Sequence, residues 1–420
     1  TIQLLTTVTL DHGVVSGGIA QHPRLGSTVF TASSEFVRWI AEAAQRGGGA
    51  APTVVLRIAK LSGSEATPVQ LTPERLFGRH CAVLGATGGG KSWTLARLME
   101  EASRFRSKVV LIDATGEFHT LMGPVQHTYL GHDPDPLEGV RQLVFPYFEL
   151  TEGDLFALFR PSGQTQAPKL RAAMKSLKLA KIVGQPLANA DGVIVKSQRQ
   201  KSPYDQAYAQ HVAVLENPTA DFDITRLVAQ INSECVWPSG GTANAPNPLV
   251  WGNANEQEKA YCVSLVTRIE DMLQAPELAC VFKPSGKTAL SSALADFLTS
   301  ESKILRVALK HLPFSHNSRE IVANAIGRHL LARARSGEFK EQPVIVVLDE
   351  AHQFLNKELG DENTKFSLDA FDLIAKEGRK FGLTICIATQ RPRDIPEDVL
   401  SQMGTLVVHR LINDRDREVV

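Results

Sequence analysis

The sequence predicts an α/β chain built on a central, mainly parallel sheet, with a small β-rich domain in front and a helical insertion within. Three observations carry this. A buried-looking strand at His80–Leu84, a glycine-rich turn and a helical pattern at Lys91–Phe105 lead into a second apolar strand at Lys108–Ile112. Strand, turn, helix, strand is a βαβ unit, whose strands run parallel. A third apolar run, Val344–Leu348, delivers two adjacent carboxylates, Asp349 and Glu350. Ahead of all these, short β-branched runs surround a single helical pattern.

Taken in order, residues 1–72 form the β-rich domain, with Thr1–Leu10, Gly26–Thr31 and Thr53–Leu61 as strands. Between them Ser34–Gln45 places Phe36, Val37, Ile40, Ala41 and Ala44 on one helical face, with Ser34 as N-cap. Gly47-Gly48-Gly49 breaks the chain before Pro52. The α/β core takes in 73–120 and resumes over 300–420. Its second part reads as strand Ile304–Leu309, helix Ser318–Arg335, strand Val344–Leu348, helix Leu368–Lys376, and strands Leu383–Ala388 and Thr405–His409. Residues 121–299 lose the α/β rhythm and read as the insertion, with helices at Pro168–Ile182 and Gln257–Leu273. Turn-rich breaks fall at Gly131–Pro136 and Pro238–Pro248.

Composition narrows the function classes. With 420 residues the chain has room for two or three domains, and 43% apolar against 21% charged residues excludes a mainly disordered chain. Lys+Arg and Asp+Glu both number 45, so no global positive field draws in nucleic acid. Contact with DNA would need a local patch, or a pore lined by several subunits. The five cysteines (81, 235, 262, 280 and 386) include no C-x-x-C, which argues against a disulfide framework or structural zinc and for a reducing, cytoplasmic setting. The apolar runs fall far short of the roughly 20 residues that span a bilayer, and no signal-peptide pattern is present. Because the chain opens on Thr1 and a helical pattern runs into Val420, the natural protein is expected to extend at both ends.

Gly85-Ala86-Thr87-Gly88-Gly89-Gly90-Lys91-Ser92 fits G-x-x-x-x-G-K-[ST] in the strand-to-helix context that this motif requires. Glycines let backbone N–H groups wrap a phosphate where side chains would block it, and the helix N-terminus adds partial positive charge. Lys91 is expected to bridge the β- and γ-phosphates of ATP and Ser92 to bind Mg²⁺, with Trp93 adjoining the nucleotide. On the carboxylate strand, Asp349 is the second expected Mg²⁺ residue and Glu350 the group that polarises the attacking water. His352 either contacts a neighbouring loop or packs at the sheet edge. Two more strand ends, Asp113–Glu117 and Thr389–Pro392, read as ordinary loops alone but become candidate walls of the nucleotide site beside this motif. Asp113 and Glu117 are then nucleotide-binding candidates. Gln390, able to donate and accept, suits orienting the water or sensing the γ-phosphate.

Four elements in order, namely Gly85–Ser92, Asp113 with Gly116-Glu117-Phe118, Leu348–His352, and Glu377–Gly382 running into Thr389–Pro392, resemble the HerA family of the HerA–FtsK superfamily of RecA-like motor ATPases. The E-G-R-K-F-G and T-Q-R-P pair beside L-D-E-A-H is the most specific part. The resemblance implies a RecA-like P-loop core and a HAS-barrel-like N-terminal domain. It further implies a homohexameric ring that hydrolyses Mg-ATP and moves double-stranded DNA, commonly with a nuclease partner or, in anti-phage complexes, a sirtuin-like NADase. A ring-shaped scaffold whose ATP site regulates such an effector, with little DNA movement, is the competing expectation. Arg379 resembles the family's trans-acting finger and Arg79 a second interface arginine, and Arg391 is a third candidate. In the insertion, Lys169, Arg171, Lys175, Lys178, Lys181, Lys196, Arg199 and Lys201 offer cations. Arg171, Lys175 and Lys178 fall on one helical face, as a stripe for DNA phosphates or as an ordinary solvated face.

Overall fold

The computed structural model describes residues 6–9, 14–17, 22, 24, 26–41, 55–61, 64–217, 219, 221–242, 244–355, 357–359 and 366–420. Its centre is one eight-stranded sheet. The strands are His80–Leu84 (β1), Lys108–Asp113 (β2), Val125–Gly131 (β3), Arg141–Gln142 (β4), Ile304–His311 (β5), Val344–Leu348 (β6), Leu383–Thr389 (β7) and Met403–Val408 (β8). They lie in the order β8-β1-β7-β6-β2-β5-β3-β4, and each neighbouring pair is parallel. Such a sheet is covered on both faces, which is why its central strands read as unbroken apolar runs. Alternate residues go to opposite sides. Val83, Val109, Leu111, Ile345 and Val347 face Leu95, Leu98 and Met99 of helix Lys91–Ala102 (α1). Leu84, Val110, Ile112, Val346 and Leu348 join a larger core with helices Ser318–Arg335 (named α6 below) and Ala370–Glu377 (α7).

The sheet reaches into the stretch expected to be mostly helical, because β3 and β4 lie within 121–299 and extend it beyond β5. The first half of β3, Val125-Gln126-His127, is only half-buried, so no apolar run marks it as a strand. The rest is mainly helical: Gly163–Val183 (α2), Ser202–Leu215 (α3), Leu227–Glu234 (α4) and Glu256–Gln274 (α5). Helix α2 begins five residues ahead of the expected Pro168, which sits inside it. Helix α3 buries only Leu215, which leaves no apolar stripe to read.

In the N-terminal region the described residues form two separate antiparallel hairpins, Thr6–Thr9 with Val14–Gly17 and Leu56–Leu61 with Ser64–Leu71, and a helix at Ser34–Ala41. Ser33, not Ser34, receives the capping bond from Phe36 N (3.2 Å). The strand expected at Gly26–Thr31 is absent, and Val29 and Phe30 there are exposed. The Gly47–Gly49 break and the beginnings of the first and third expected strands lie outside the described residues. No helix among the described residues is long and apolar enough to cross a membrane. All five cysteines are free and buried.

The basic stripe is not a free surface. Lys178 is buried and donates to the Leu215 and Asn217 carbonyls, while Arg171 pairs with Glu152 and Lys175 with Glu216. Lys169 pairs with Glu258, Lys181 with Asp221, and Lys201 donates to Pro238 O. Lys196 is buried against Glu234, whose carboxylate also accepts from Ser176 and Gln230. Of the eight candidates, Arg199 alone is exposed without such a bond among the described residues. Within the stripe Lys178 has an internal role, whereas Arg171 and Lys175 make ion pairs on a partly solvated face. Lys196→Met should strand the Glu234 carboxylate in the interior and cost about 3–5 kcal/mol. Lys181→Met, on a half-exposed pair, should cost less than about 1 kcal/mol. Chemical denaturation of the two variants checks the contrast, and equal midpoints would refute it.

Candidate active site

The glycine turn is built by what lies around it. Gly85 N donates to Thr389 O (3.2 Å) at the end of β7, and Gly88 and Gly90 hold φ of +73° and +94°. Those angles suit glycine, and an added side chain would also fill the concavity that the N–H groups line. Lys91 and Ser92 open α1 directly after it. The Lys91 side chain is buried, with Nζ 3.5 Å from Ala86 O, and Ser92 Oγ donates to Glu117 Oε2 (2.8 Å). Across the turn, Thr87 Oγ1 donates to Gln390 Oε1. Thus Lys91, Ser92, Glu117 and Gln390, expected at one site from three separate parts of the chain, are brought together.

The carboxylates of β6 arrive beside them. Asp349 is 5% exposed, and burial, followed by the nearby charges of Glu350, Asp113 and Glu117, pushes its carboxyl up to about 7. Glu350 adopts φ +48°, an uncommon conformation for a side-chain-bearing residue and one that clusters at functional sites. Burial raises its pKa, while Lys91 lowers it. Its Oε2 is buried with no hydrogen bond among the described residues, although His352 Nδ1 stands 3.3 Å away. His352 packs at the sheet edge, with Nδ1 3.1 Å from Thr389 Oγ1 at the end of β7.

One expected nucleotide contact, Asp113, has its oxygens engaged elsewhere. Asp113 is fully buried, and its oxygens accept from Gly116 N (2.8 Å), Phe118 N (3.2 Å) and Arg306 Nε (2.7 Å). It therefore positions the loop that carries Glu117 and presents nothing to a nucleotide. Trp93 lies exposed on the first turn of α1, directly after Ser92.

The arginines divide between the two edges of the sheet. Arg391 follows Gln390 at the carboxyl edge, with its N–H on Thr389 Oγ1 (3.0 Å), and lies near enough to lower the Glu350 pKa. Arg79 and Arg379 precede β1 and β7 and together line a cavity of about 410 Å³ at the amino edge. A Cβ on Gly404 would fall 2.4 Å from Arg79 Cδ, so glycine at that position makes room for this side chain. The length of β1, about 16 Å, separates these two from the glycine turn of their own chain.

Sequence reading missed Arg306 and Arg319, whose guanidinium donates to Ala114 O (3.1 Å), Lys310 O and Leu312 O (both 3.0 Å), and it took His409 only as a strand end. None belongs to a motif, and their side-chain partners are 7 to 315 residues away in sequence, several of them backbone atoms that no pattern reveals. The donor set fits Mg-ATP on the structure's own terms. A hydroxyl, a buried carboxyl that ionises with difficulty and an orphaned carboxylate oxygen are what a divalent cation and its water satisfy. Ser92 and Asp349 would hold the cation, with the glycine turn and Lys91 taking the phosphates.

Residues 56–328 match the family model described as "Helicase HerA, central domain", and residues 335–418 that described as "Helicase HerA-like C-terminal". The chain is 25% identical over 381 residues to the DNA double-strand break repair helicase HerA of Sulfurisphaera tokodaii, covering 87% of this chain and 61% of that one. It is 24% identical over 352 residues to the same-named protein of Saccharolobus solfataricus, covering 82% and 57%. It thus spans about three-fifths of the length of these relatives. Among solved structures, VirB4 of Thermoanaerobacter pseudethanolicus is similar at TM-score 0.45 and 13% identity, covering 88% of each chain.

The Asp349 carboxyl yields a pH-dependent prediction. Below about pH 4 it is neutral in both folded and unfolded chains. As pH rises towards 7, only the unfolded chain gains by ionising it, so the folded state loses stability until its own pKa near 7 is passed. Asp349→Asn removes that loss. At pH 8 without nucleotide the variant should be more stable than the parent, by at most about 4 kcal/mol, and the gain should fade as pH falls from 7 to 4. Thermal melts across this range check it, and a pH-independent difference would refute it.

Proposed function

This chain belongs to the HerA helicase family, and on that premise we propose that it hydrolyses Mg-ATP to drive movement on double-stranded DNA as a homohexameric ring. The observation that carries the reading is the division of the site between two edges. Lys91, Ser92, Asp349, Glu350 and Gln390 converge at the carboxyl edge, whereas Arg79 and Arg379 stand at the amino edge with no carboxylate partner among the described residues. A cation needed at the phosphates is then supplied by the neighbouring copy, head to tail.

Within one site the glycine turn and Lys91 bind and orient the phosphates. Bound Mg²⁺ neutralises charge on the β- and γ-phosphates. Glu350 polarises the attacking water and accepts its proton, and Gln390 orients that water. Arg379 of the neighbour meets charge as it develops in the transition state. One observation favours the second reading, an ATP-regulated ring that assembles a nuclease or sirtuin-like NADase effector. Among the described residues, the stripe cations Arg171, Lys175 and Lys178 are each already engaged by a carboxylate or carbonyl of this chain.

ATP turnover with and without duplex DNA separates the two. Stimulation by DNA is expected of a motor, and turnover indifferent to DNA but responsive to an effector would support the scaffold. Glu350→Gln should bind ATP yet turn over about 10²-fold more slowly, and parental turnover would remove Glu350 from the chemistry. Arg379→Ala should bind ATP nearly normally and hydrolyse it slowly. Mixing it with Lys91→Ala subunits should recover activity in rings shown by mass measurement to be mixed, since some boundaries then pair an intact turn with an intact arginine. If Arg379→Ala alone keeps full activity, the trans role of this residue is refuted.

A further inference from the structure

We propose that His409, the residue after β8, is a positioning residue of the nucleotide site, a wedge that sets the glycine turn in its phosphate-binding shape. The inference deepens the ATP reading above and rests on it.

The backbone brings His409 there. His409 N donates to Leu84 O (2.7 Å) and Ala86 N donates to Arg410 O (3.0 Å), so the end of β8 runs alongside the start of the turn. The side chain then spans the turn. A Cβ built on Gly85 would stand 2.5 Å from His409 Cβ, one on Gly89 3.5 Å from the same atom, and one on Gly90 3.6 Å from the ring carbon Cε1. At its far end Nε2 is 2.9 Å from Thr94 Oγ1, in the first turn of α1. One imidazole therefore abuts the first and last glycines of the motif and is fixed to the helix that follows. Gly85 has to be glycine because His409 occupies the space of its side chain, a reason separate from the approach of a phosphate.

The chain beyond His409 closes a circuit. The short helix Asp414–Glu418 (α8, the last in the chain) places Asp416 3.9 Å from Arg393, in the turn Pro392–Asp394 that follows Gln390 and Arg391. Gln390 in turn accepts from Thr87 within the glycine turn. The turn is thus held at Thr87 from the end of β7 and at its glycines from the end of β8, and the two holds meet through this helix.

The P-loop N–H groups contact phosphates in ground and transition states alike, so loosening them raises KM and leaves kcat nearly unchanged. In the full chain, His409→Ala should weaken Mg-ADP binding by calorimetry and raise KM for ATP, each about tenfold, with kcat within about twofold. The nucleotide-free melting temperature should stay that of the parent, because the β8–β1 ladder is made by backbone bonds. His409→Gln, whose amide reaches towards Thr94 Oγ1, should recover most of the affinity. Parental Kd and KM in His409→Ala would overturn the proposal. So would a drop in nucleotide-free melting temperature and kcat shared by both variants, the mark of a merely structural role. Lys91→Ala serves as the reference. If it loses Mg-ADP while His409→Ala does not, only this inference fails, and if Lys91→Ala binds as the parent does, the nucleotide-site reading itself fails.

Discussion

The carboxyl edge of the sheet hangs on one buried ion pair, Asp113 of β2 with Arg306 of the adjacent β5. Both side chains are at most 4% exposed, and a charge at that depth survives only with a partner. The pair does more than neutralise itself. The remaining capacity of the Asp113 carboxylate closes the turn at Gly116 and Phe118, which points Glu117 at Ser92. Arg306 reaches the Gly116 carbonyl from the other side (3.3 Å). Arg319 then ties the ends of the same two strands through their carbonyls. The acidic wall of the nucleotide site is therefore held by cations that never touch a nucleotide.

The opposite edge has the reverse character. There Arg79 and Arg379 are exposed, and the neighbouring His80 imidazole is kept neutral down to about pH 4 by burial and by the Arg379 charge, while its Nδ1 accepts from Ile385 N (3.0 Å). Unpaired anionic demand at one end of a strand and unpaired guanidinium groups at the other make the two edges electrostatically complementary. In the ring proposed above, copies stacked edge to edge would satisfy both.

What the sequence disclosed depended on whether a function sits in contiguous residues. The glycine turn, the Asp349–Glu350 strand and the Thr389–Arg391 loop each combine a strand and its chemistry within a few positions, so pattern and spacing were enough to place them. Glu117 and Gln390 were found because their strands end where ligands bind in a parallel sheet. The same rule misled for Asp113, which ends a strand equally well but turns its carboxylate to Arg306, a residue 193 positions away. Helical spacing put Arg171, Lys175 and Lys178 on one face correctly. It could not say that Glu152, Glu216 and two carbonyls lay opposite them. Strand β3 escaped because a peripheral strand need not be apolar along its length, and His409 because its partners are glycines.

Helix α6 is the mechanical link between the site and the insertion. Near its N-terminus Arg319 clamps the carboxyl edge, and nine residues on, Arg328 makes a two-pronged bond to the buried Asp154 carboxylate. Asp154 also closes the capping box of the insertion's short helix Glu152–Phe159. The two anchor points are about 14 Å apart along one rigid element. Nearly every residue of α6 up to Gly327 is buried, so the helix cannot pivot without disturbing the core on all sides. The Lys175–Glu216 and Lys196–Glu234 ion pairs, and the bonds from Lys178 to the Leu215 and Asn217 carbonyls, brace the insertion to which this anchor leads. The cations read as a DNA-phosphate stripe thus serve as bonds within the insertion.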